Sequence, residues 1–394
     1  MIRKRIFPIL LFLTLLCGCS NPQEAQQTAQ STQATTTATE LPTEPSAQPT
    51  TEVTQPPLVL EAGPGVYVNG IGIAGTARDG ETVYVSAQEF CLALNGSTLD
   101  DGTATMTHGQ VHISFSPDYS HMMRDNKAVV LLSPILNYQQ QAYLPLEELC
   151  QMLELSVLWD KEYDTVYCTA AAWPREVPEG YDVPVLMYHA VDNDLWGIAE
   201  LFVKPENMEA QLKYLTENGY DTIFFEDLYH IADYDKPVIL TFDDGYLDNY
   251  TQLFPLLQKY NAKATIFIIN QYIGNDIHYM NTEQIQEMAA SGLVSIQSHT
   301  VTHPDLDELS LEDQREELVQ SKLLTTRMSL REPYVLCYPT GKYNSNTLEI
   351  IGESYQFGIK MRGGLYNTSD SEFEINRYYV SRNTGLGAFK NMVG

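Results

Sequence analysis

In its second half the chain alternates short apolar, β-branched runs with longer stretches whose apolar residues recur at helical spacing. The runs near 183–190, 221–225, 237–243, 264–270, 294–298, 334–339 and 357–361 predict strands. The spacing in 205–218, 247–260, 282–290, 311–327 and 345–353 predicts helices between them. Asn281 with Gln284, and Ser310 with Asp313, are placed as helix starts are. Strand–helix alternation with about seven strands predicts an α/β fold built on a parallel barrel. In such barrels functional groups collect at the carboxyl ends of the strands.

The first half has a different texture. Residues 84–94 align with 143–153, placing Cys91 on Cys150 and Leu94 on Leu153, and the match continues with Leu99 on Leu158. Each unit reads as strand, short amphipathic helix and hairpin, with Ser86 and Pro145 at the helix starts. Leu158-Trp159-Asp160 leads into Thr165-Val166-Tyr167 as the two arms of such a hairpin. With Val66-Tyr67-Val68-Asn69-Gly70 ahead of it, this small α+β repeat domain resembles the copper amine oxidase N-terminal-like domain, a stalk or wall-associated module of bacterial surface proteins. The resemblance rests on hydrophobic pattern and implies no copper; His108, His112 and His121 read as surface residues. The domain is assigned to 58–172, and 173–182, with Pro174, Pro178 and Gly180, to a linker.

Composition changes the picture at the start of the chain. Arg3, Lys4 and Arg5 precede an apolar run, 6–16, too short for a comfortable membrane span. Leu16-Cys17-Gly18-Cys19 resembles a bacterial lipobox, so 1–19 reads as a lipoprotein signal peptide with lipid on Cys19. Residues 20–57 hold no aromatic, Lys or Arg and are rich in Thr, Gln, Ala and Pro, a disordered tether by composition. This predicts a lipid-anchored protein on the outer face of a bacterial cell membrane. Export permits disulfides, but Cys91 and Cys150 occupy equivalent helix positions and no bridge is assigned. The net charge of −28 argues against nucleic acid and polyanions as partners.

The candidate chemistry sits at two predicted strand ends. Val238-Ile239-Leu240-Thr241-Phe242 runs into Asp243-Asp244-Gly245, and Val294-Ser295-Ile296-Gln297-Ser298 into His299-Thr300-Val301-Thr302-His303-Pro304. Adjacent carboxylates repel unless a cation or a proton sits between them. Two imidazoles four residues apart can aim at one point. One carboxylate with two imidazoles makes a three-ligand site with room for water, as in catalytic zinc centres, and leaves the other carboxylate free as a base.

These residues, with Val183-Pro184-Val185-Leu186-Met187-Tyr188-His189 as a first strand, resemble the motifs of the polysaccharide deacetylase family (the NodB homology domain, carbohydrate esterase family 4). The resemblance covers 183–394 and implies a distorted parallel (β/α)7 barrel. It implies Asp244, His299 and His303 as ligands of a divalent metal, commonly Zn2+, and Asp243 as general base. The third motif departs from the family's Arg-x-Pro-Tyr-Gly: Cys337-Tyr338-Pro339-Thr340-Gly341 fills its place, and Cys337 stands where the base-orienting Arg would be. Arg331-Glu332-Pro333-Tyr334 lacks the Gly and precedes the strand, so it is set aside. Arg377 is the candidate replacement cation, against a plain surface ion pair. Thr340 N–H is the candidate oxyanion donor.

The family's final motif carries a His, and this chain has none beyond His303. His189 is the candidate proton donor, against a structural His bonded to the barrel floor; His230 and His278 read as bystanders. Tyr246 and Tyr338 are candidate sugar-binding rings, with Trp196 and Tyr343 behind them. The reading is a monomeric, metal-dependent deacetylase, a hydrolase of carbon–nitrogen bonds other than peptide bonds. It acts on N-acetylglucosamine in a surface polysaccharide or peptidoglycan. An O-acetyl esterase on a glycan such as xylan, and a non-catalytic glycan-binding or wall-spacer lipoprotein, are the alternatives.

Overall fold

The computed structural model describes residues 60–394 apart from 95–98, 101–102, 109–110, 116–121, 139–140 and 171–175. The lipobox with Cys19, the tether and His121 lie outside the described residues. Among the described residues no helix is long and apolar enough to cross a membrane.

The repeat read from the sequence is present. Strand β1 (Gly65–Val68), β2 (Ile71–Ile73), β3 (Thr76–Asp79) and β4 (Thr82–Ser86) lead into helix α1 (Ala87–Ala93). Strand β5 (Gln141–Pro145) leads in the same way into α2 (Leu146–Met152). β4 and β5 pair antiparallel, and the equivalent Cys91 and Cys150 are both buried in one core with Phe90, Leu149 and Leu153. The hairpin β6 (Leu155–Asp160) and β7 (Thr165–Ala170) follows, with β7 parallel to β1. A meander of short strands between the two units makes the domain more β than α. All four described cysteines are free.

The second region is a parallel sheet with helices on its outside. Its elements are β8 (Val185–Tyr188), α3 (Pro205–Glu217), β9 (Pro237–Phe242), α4 (Phe254–Tyr260), β10 (Ala264–Ile268), α5 (Thr282–Ala290), β11 (Val294–Ser298), α6 (Leu311–Ser329), β12 (Val335–Cys337), α7 (Ser345–Ser354), β13 (Phe357–Ile359), β14 (Tyr378–Tyr379) and α8 (Leu386–Val393). The strand order is β13-β12-β11-β10-β9-β8-β14, every pair parallel. Ile375, just before β14, bridges Ile359 of β13, so the segment 375–379 links both ends and the sheet curls round on itself. Alternate residues of a strand face opposite sides. Leu240, Ile266 and Ile296 join the outer core under the helices, while Ile239, Phe267, Val335, Cys337 and Phe357 fill the lumen.

Three sequence expectations are corrected. The run 221–225 is not a barrel spoke: Asp221–Thr222 pairs only with the start of β9, and Phe225, Leu228 and Ile231 then bury as one face of a 3-10 turn. The seventh strand is β14, whose two residues are too few to read as a strand. The helix predicted over 247–260 opens as a π turn, Asn249–Leu253, because Pro255 has no N–H for the carbonyl four residues back.

The two regions are docked, not merely linked. Asp160, wholly buried at the end of β6, receives Arg327 of α6 at 2.5 and 2.8 Å. Glu332 receives the hydroxyls of Ser156 and Thr169 and pairs with Lys322. Glu332 belongs to the segment that superficially resembled the third motif, and its place is this interface. Replacing Arg327 by Met strands the Asp160 carboxylate on the backbone N–H groups of Glu162 and Tyr163. It is expected to lower the unfolding free energy by about 2 kcal/mol, read by denaturant titration; a change under about 0.5 kcal/mol would make this a surface pair.

Candidate active site

The period of β9 builds the first part of the site. Ile239, Thr241 and Asp243 share its lumen face, and at the lumen's open end they meet Arg377, only 2% exposed. Its Nη1 donates to Asp243 Oδ1 at 2.7 Å and to Thr241 Oγ1 at 3.0 Å. Its Nη2 donates to Asp243 Oδ2 at 2.8 Å and to Cys337 Sγ at 3.2 Å, and Nε donates to the Lys360 carbonyl. The plain surface ion pair is therefore excluded. Arg377 reaches from just before the last strand into the space where Cys337 leaves the third motif short of a cation. Burial would push the Asp243 carboxyl up, but the Arg377 guanidinium, by charge and hydrogen bonds, holds it well below the usual carboxylate range. The Cys337 thiol is pushed up by burial and stays protonated.

One residue on, the chain turns. Asp244 has φ +80° and Gly245 φ +83°, so Asp244 leaves the lumen and faces the mouth. A Cβ on Gly245 would press on Ile268 at 3.0 Å in a left-handed backbone, which fixes glycine there. Asp244 Oδ1 lies 3.6 Å from His299 Nε2 and 4.0 Å from His303 Nε2. A tetrahedral cation with ordinary ligand lengths separates its donors by about 3.3 Å, so this grouping is nearly closed on such an ion. His299 Nδ1–H donates to the Cys337 carbonyl at 2.8 Å, which leaves the Nε2 lone pair facing Asp244. Burial pushes the His299 imidazole down to about 4, against the pull of Asp243 and Asp244, so it is neutral at pH 7. A second grouping, Asp243, His299 and Cys337, shares the imidazole. Its carboxylate is already engaged twice by Arg377 and its thiol is protonated, so Asp244, His299 and His303 are the set that fits a cation.

Four non-glycine residues at this mouth adopt positive φ: Asp244, Thr300, His303 and Thr340. Such strain persists only where neighbours hold it, and it concentrates at functional sites. Thr300 Oγ1 accepts the His303 N–H at 3.0 Å, and Asp305 binds both Thr340 Oγ1 and Lys342 Nζ at 2.6 Å. The loops carrying His303 and Thr340 are thus tied together.

His189 follows β8, with Nε2 4.0 Å from Asp243 Oδ2, and its ring meets Tyr379 edge-on. Its Nδ1 is buried with no hydrogen-bond partner, so no bond ties the ring to a barrel floor. Asp248 and Asn249, which the sequence reading passed over, set this turn: Asp248 accepts the Val191 N–H at 2.7 Å, and Asn249 Nδ2 donates to the His189 carbonyl at 2.9 Å. Burial pushes the Asp248 carboxyl up to about 6.

The aromatic residues divide. Tyr246 lies beside Asp244 with Trp196 edge-on to it and Tyr279 tilted across it. Trp196 stacks flat on His278 at 4.2 Å, so His278 is part of this wall rather than a bystander. Tyr338 is corrected: it is 1% exposed, stacks on Tyr343 at 4.5 Å and donates its hydroxyl to the Phe373 carbonyl, leaving no face for a sugar.

Comparison with known proteins agrees with this geometry. Residues 230–356 match the family model for polysaccharide deacetylase, a span that leaves out both His189 and Arg377. Over 236 residues, 58% of this chain and 80% of the other, the chain is 36% identical to YxkH of Bacillus subtilis (strain 168), assigned to the polysaccharide deacetylases. It is 23% identical over 256 residues to the poly-beta-1,6-N-acetyl-D-glucosamine N-deacetylase of Escherichia coli (strain K12), spanning only 38% of that protein. The solved Streptococcus pyogenes deacetylase PplD superposes with a TM-score of 0.51 and 29% identity over 54% of this chain and 99% of that one. BC0361 from Bacillus cereus shares the fold over 73% of this chain, more than the barrel alone, with a TM-score of 0.52 and 24% identity.

Proposed function

The chain belongs to the polysaccharide deacetylase family, and from that premise we propose that it is a metal-dependent hydrolase of N-acetyl groups on N-acetylglucosamine residues of a surface polysaccharide or peptidoglycan. The observation that carries this reading is one mouth holding a three-donor group beside a separate carboxylate locked by a guanidinium. Asp244, His299 and His303 would hold the cation, and two imidazoles with one carboxylate suit zinc. When bound, the cation supplies Lewis-acid polarisation and an acidified water.

The protein's own groups do the rest. The reaction consumes water and the acetamide and yields acetate and a free amine. Asp243, ionised throughout the working pH range, takes the proton of the attacking water at Oδ2. Arg377 keeps that carboxylate in one orientation. His189, whose Nε2 faces the same oxygen, delivers a proton to the leaving nitrogen. Thr340 N–H donates to the developing oxyanion. Tyr246, with Trp196 and His278, forms the wall against which the sugar lies. The chain works as a monomer held by lipidated Cys19 on the outer face of a bacterial membrane, with 58–172 as the stalk-type copper amine oxidase N-terminal-like module.

Acetate release from N-acetylglucosamine oligomers and from peptidoglycan tests this. Chelation and Asp244→Ala are each expected to reduce release to background, and zinc to restore it in the chelated sample but not in the variant. Release that survives both would sink the metal reading. Release from an O-acetylated glycan such as xylan alone would move the substrate to an ester.

A further inference from the structure

We propose that Glu317, on the outer helix α6, is the positioning residue of the His299–His303 loop, fixing His303 for the cation. The proposal rests on the metal reading of Asp244, His299 and His303 given above. Glu317 Oε2 accepts the backbone N–H groups of Val301 and Thr302 at 2.9 and 3.0 Å, and Oε1 accepts the Thr302 hydroxyl at 2.6 Å. Three donors of one loop thus converge on a single side chain from another element. The loop needs such an anchor because it carries two residues of positive φ, Thr300 at +68° and His303 at +61°, and a β-branched residue in that region is strained.

The two imidazoles are held unequally. His299 is buried, follows directly on β11 and is tied by Nδ1 to the Cys337 carbonyl. The His303 side chain is 28% exposed, and its direction depends on the loop backbone, through its N–H on Thr300 Oγ1. Glu317 grips two of the three residues between them, Val301 and Thr302. The same helix braces the strand ends below, through Ser321 Oγ on Ser298 Oγ at 2.6 Å and Thr325 Oγ1 on Asn270 Nδ2 at 2.9 Å. Glu317 is the member of this stripe that reaches the loop itself. It contacts neither a candidate ligand nor Asp243, so it acts through the backbone.

Glutamine reproduces this geometry: its carbonyl oxygen can take both N–H groups and its amide can donate to the Thr302 hydroxyl. The test uses the full chain in detergent, with Zn2+ affinity by chelator competition, the visible spectrum of the Co2+-loaded protein, and amide exchange of the metal-free protein. Glu317→Ala is expected to weaken Zn2+ binding about 10- to 100-fold, the usual effect of losing a group that orients a ligand. It should also change the Co2+ spectrum and abolish protection of the Val301 and Thr302 amides. Glu317→Gln is expected to bind Zn2+ within about threefold of the parent, since its bonding pattern is intact. If Glu317→Ala does not fold, Thr302→Val removes the hydroxyl arm alone and should give a smaller loss in the same direction. Unchanged affinity and spectrum in Glu317→Ala would overturn the proposal, as would an unprotected pair of amides in the parent. A parent that protects both amides yet binds no cation would overturn the metal reading instead and leave Glu317 an anchor of the loop.

Discussion

Asp243→Asn is expected to lower kcat for acetate release by about a thousandfold, within the span typical of losing a general base, while Zn2+ still binds stoichiometrically. The two effects separate because Asp243 faces Arg377 in the lumen whereas Asp244 faces the two imidazoles at the mouth. Asn fills the same volume but cannot take up a proton. The comparison is kcat on N-acetylglucosamine oligomers beside metal content on the same preparations. A variant within tenfold of the parent would remove Asp243 from proton transfer. A variant that loses the metal would place it among the ligands, in the second grouping with His299 and Cys337.

Arg377→Met is expected to cost about 3–5 kcal/mol of stability at neutral pH, as breaking a buried ion pair does. The carboxylate left behind is 3% exposed and would keep only the weak Cys337 thiol contact at 3.6 Å and His189 Nε2 at 4.0 Å. The pH dependence gives the sign. In the parent, Asp243 is held below the ordinary carboxylate range, so its contribution is present above that range and is lost as pH falls through the depressed value. In the variant burial is opposed only by His189 and His299, so the carboxyl titrates higher than in the parent. Acidification then relieves the variant while it weakens the parent, and the difference in unfolding free energy shrinks as pH falls. The acid limb of the activity profile moves to higher pH in the variant for the same reason. A stability difference flat from pH 4 to 8 would count against the pairing.

The two strand ends were legible because their chemistry is written in adjacent letters. Asp243-Asp244-Gly245 closes an apolar run, and His299 and His303 close another, so periodicity places four groups at one end of a parallel sheet before any contact is known. Arg377 was only half legible. The strand that follows it has two residues, its pairing with Asp243 spans 134 positions, and nothing local distinguishes it from a surface arginine. Tyr338 misled because an aromatic beside a motif reads alike whether its ring faces the mouth or the core. Glu317, Ser321 and Thr325 were invisible for another reason. They recur at i, i+4 and i+8, Glu317 half-buried and Ser321 and Thr325 buried, on an inward face that pattern reading expects to be apolar. The spacing over 311–327 predicts the helix, but an inward stripe of Ser, Thr and Gln gives no sign of the strand ends it braces.

The Arg327–Asp160 contact bears on how such a protein can be reshuffled. The solved PplD chain aligns along 99% of its length with 54% of this chain. Here the barrel's outer helix carries a guanidinium fitted to one buried carboxylate, and Glu332 is fitted to two hydroxyls of the same hairpin. A different N-terminal module joined at the linker would present neither and would leave Glu332 without its two hydroxyls. Recombination at this boundary is therefore gated by a few side chains rather than by linker length. Swaps that succeed should bring an acid at the position of Asp160 or lose Arg327 in the same step.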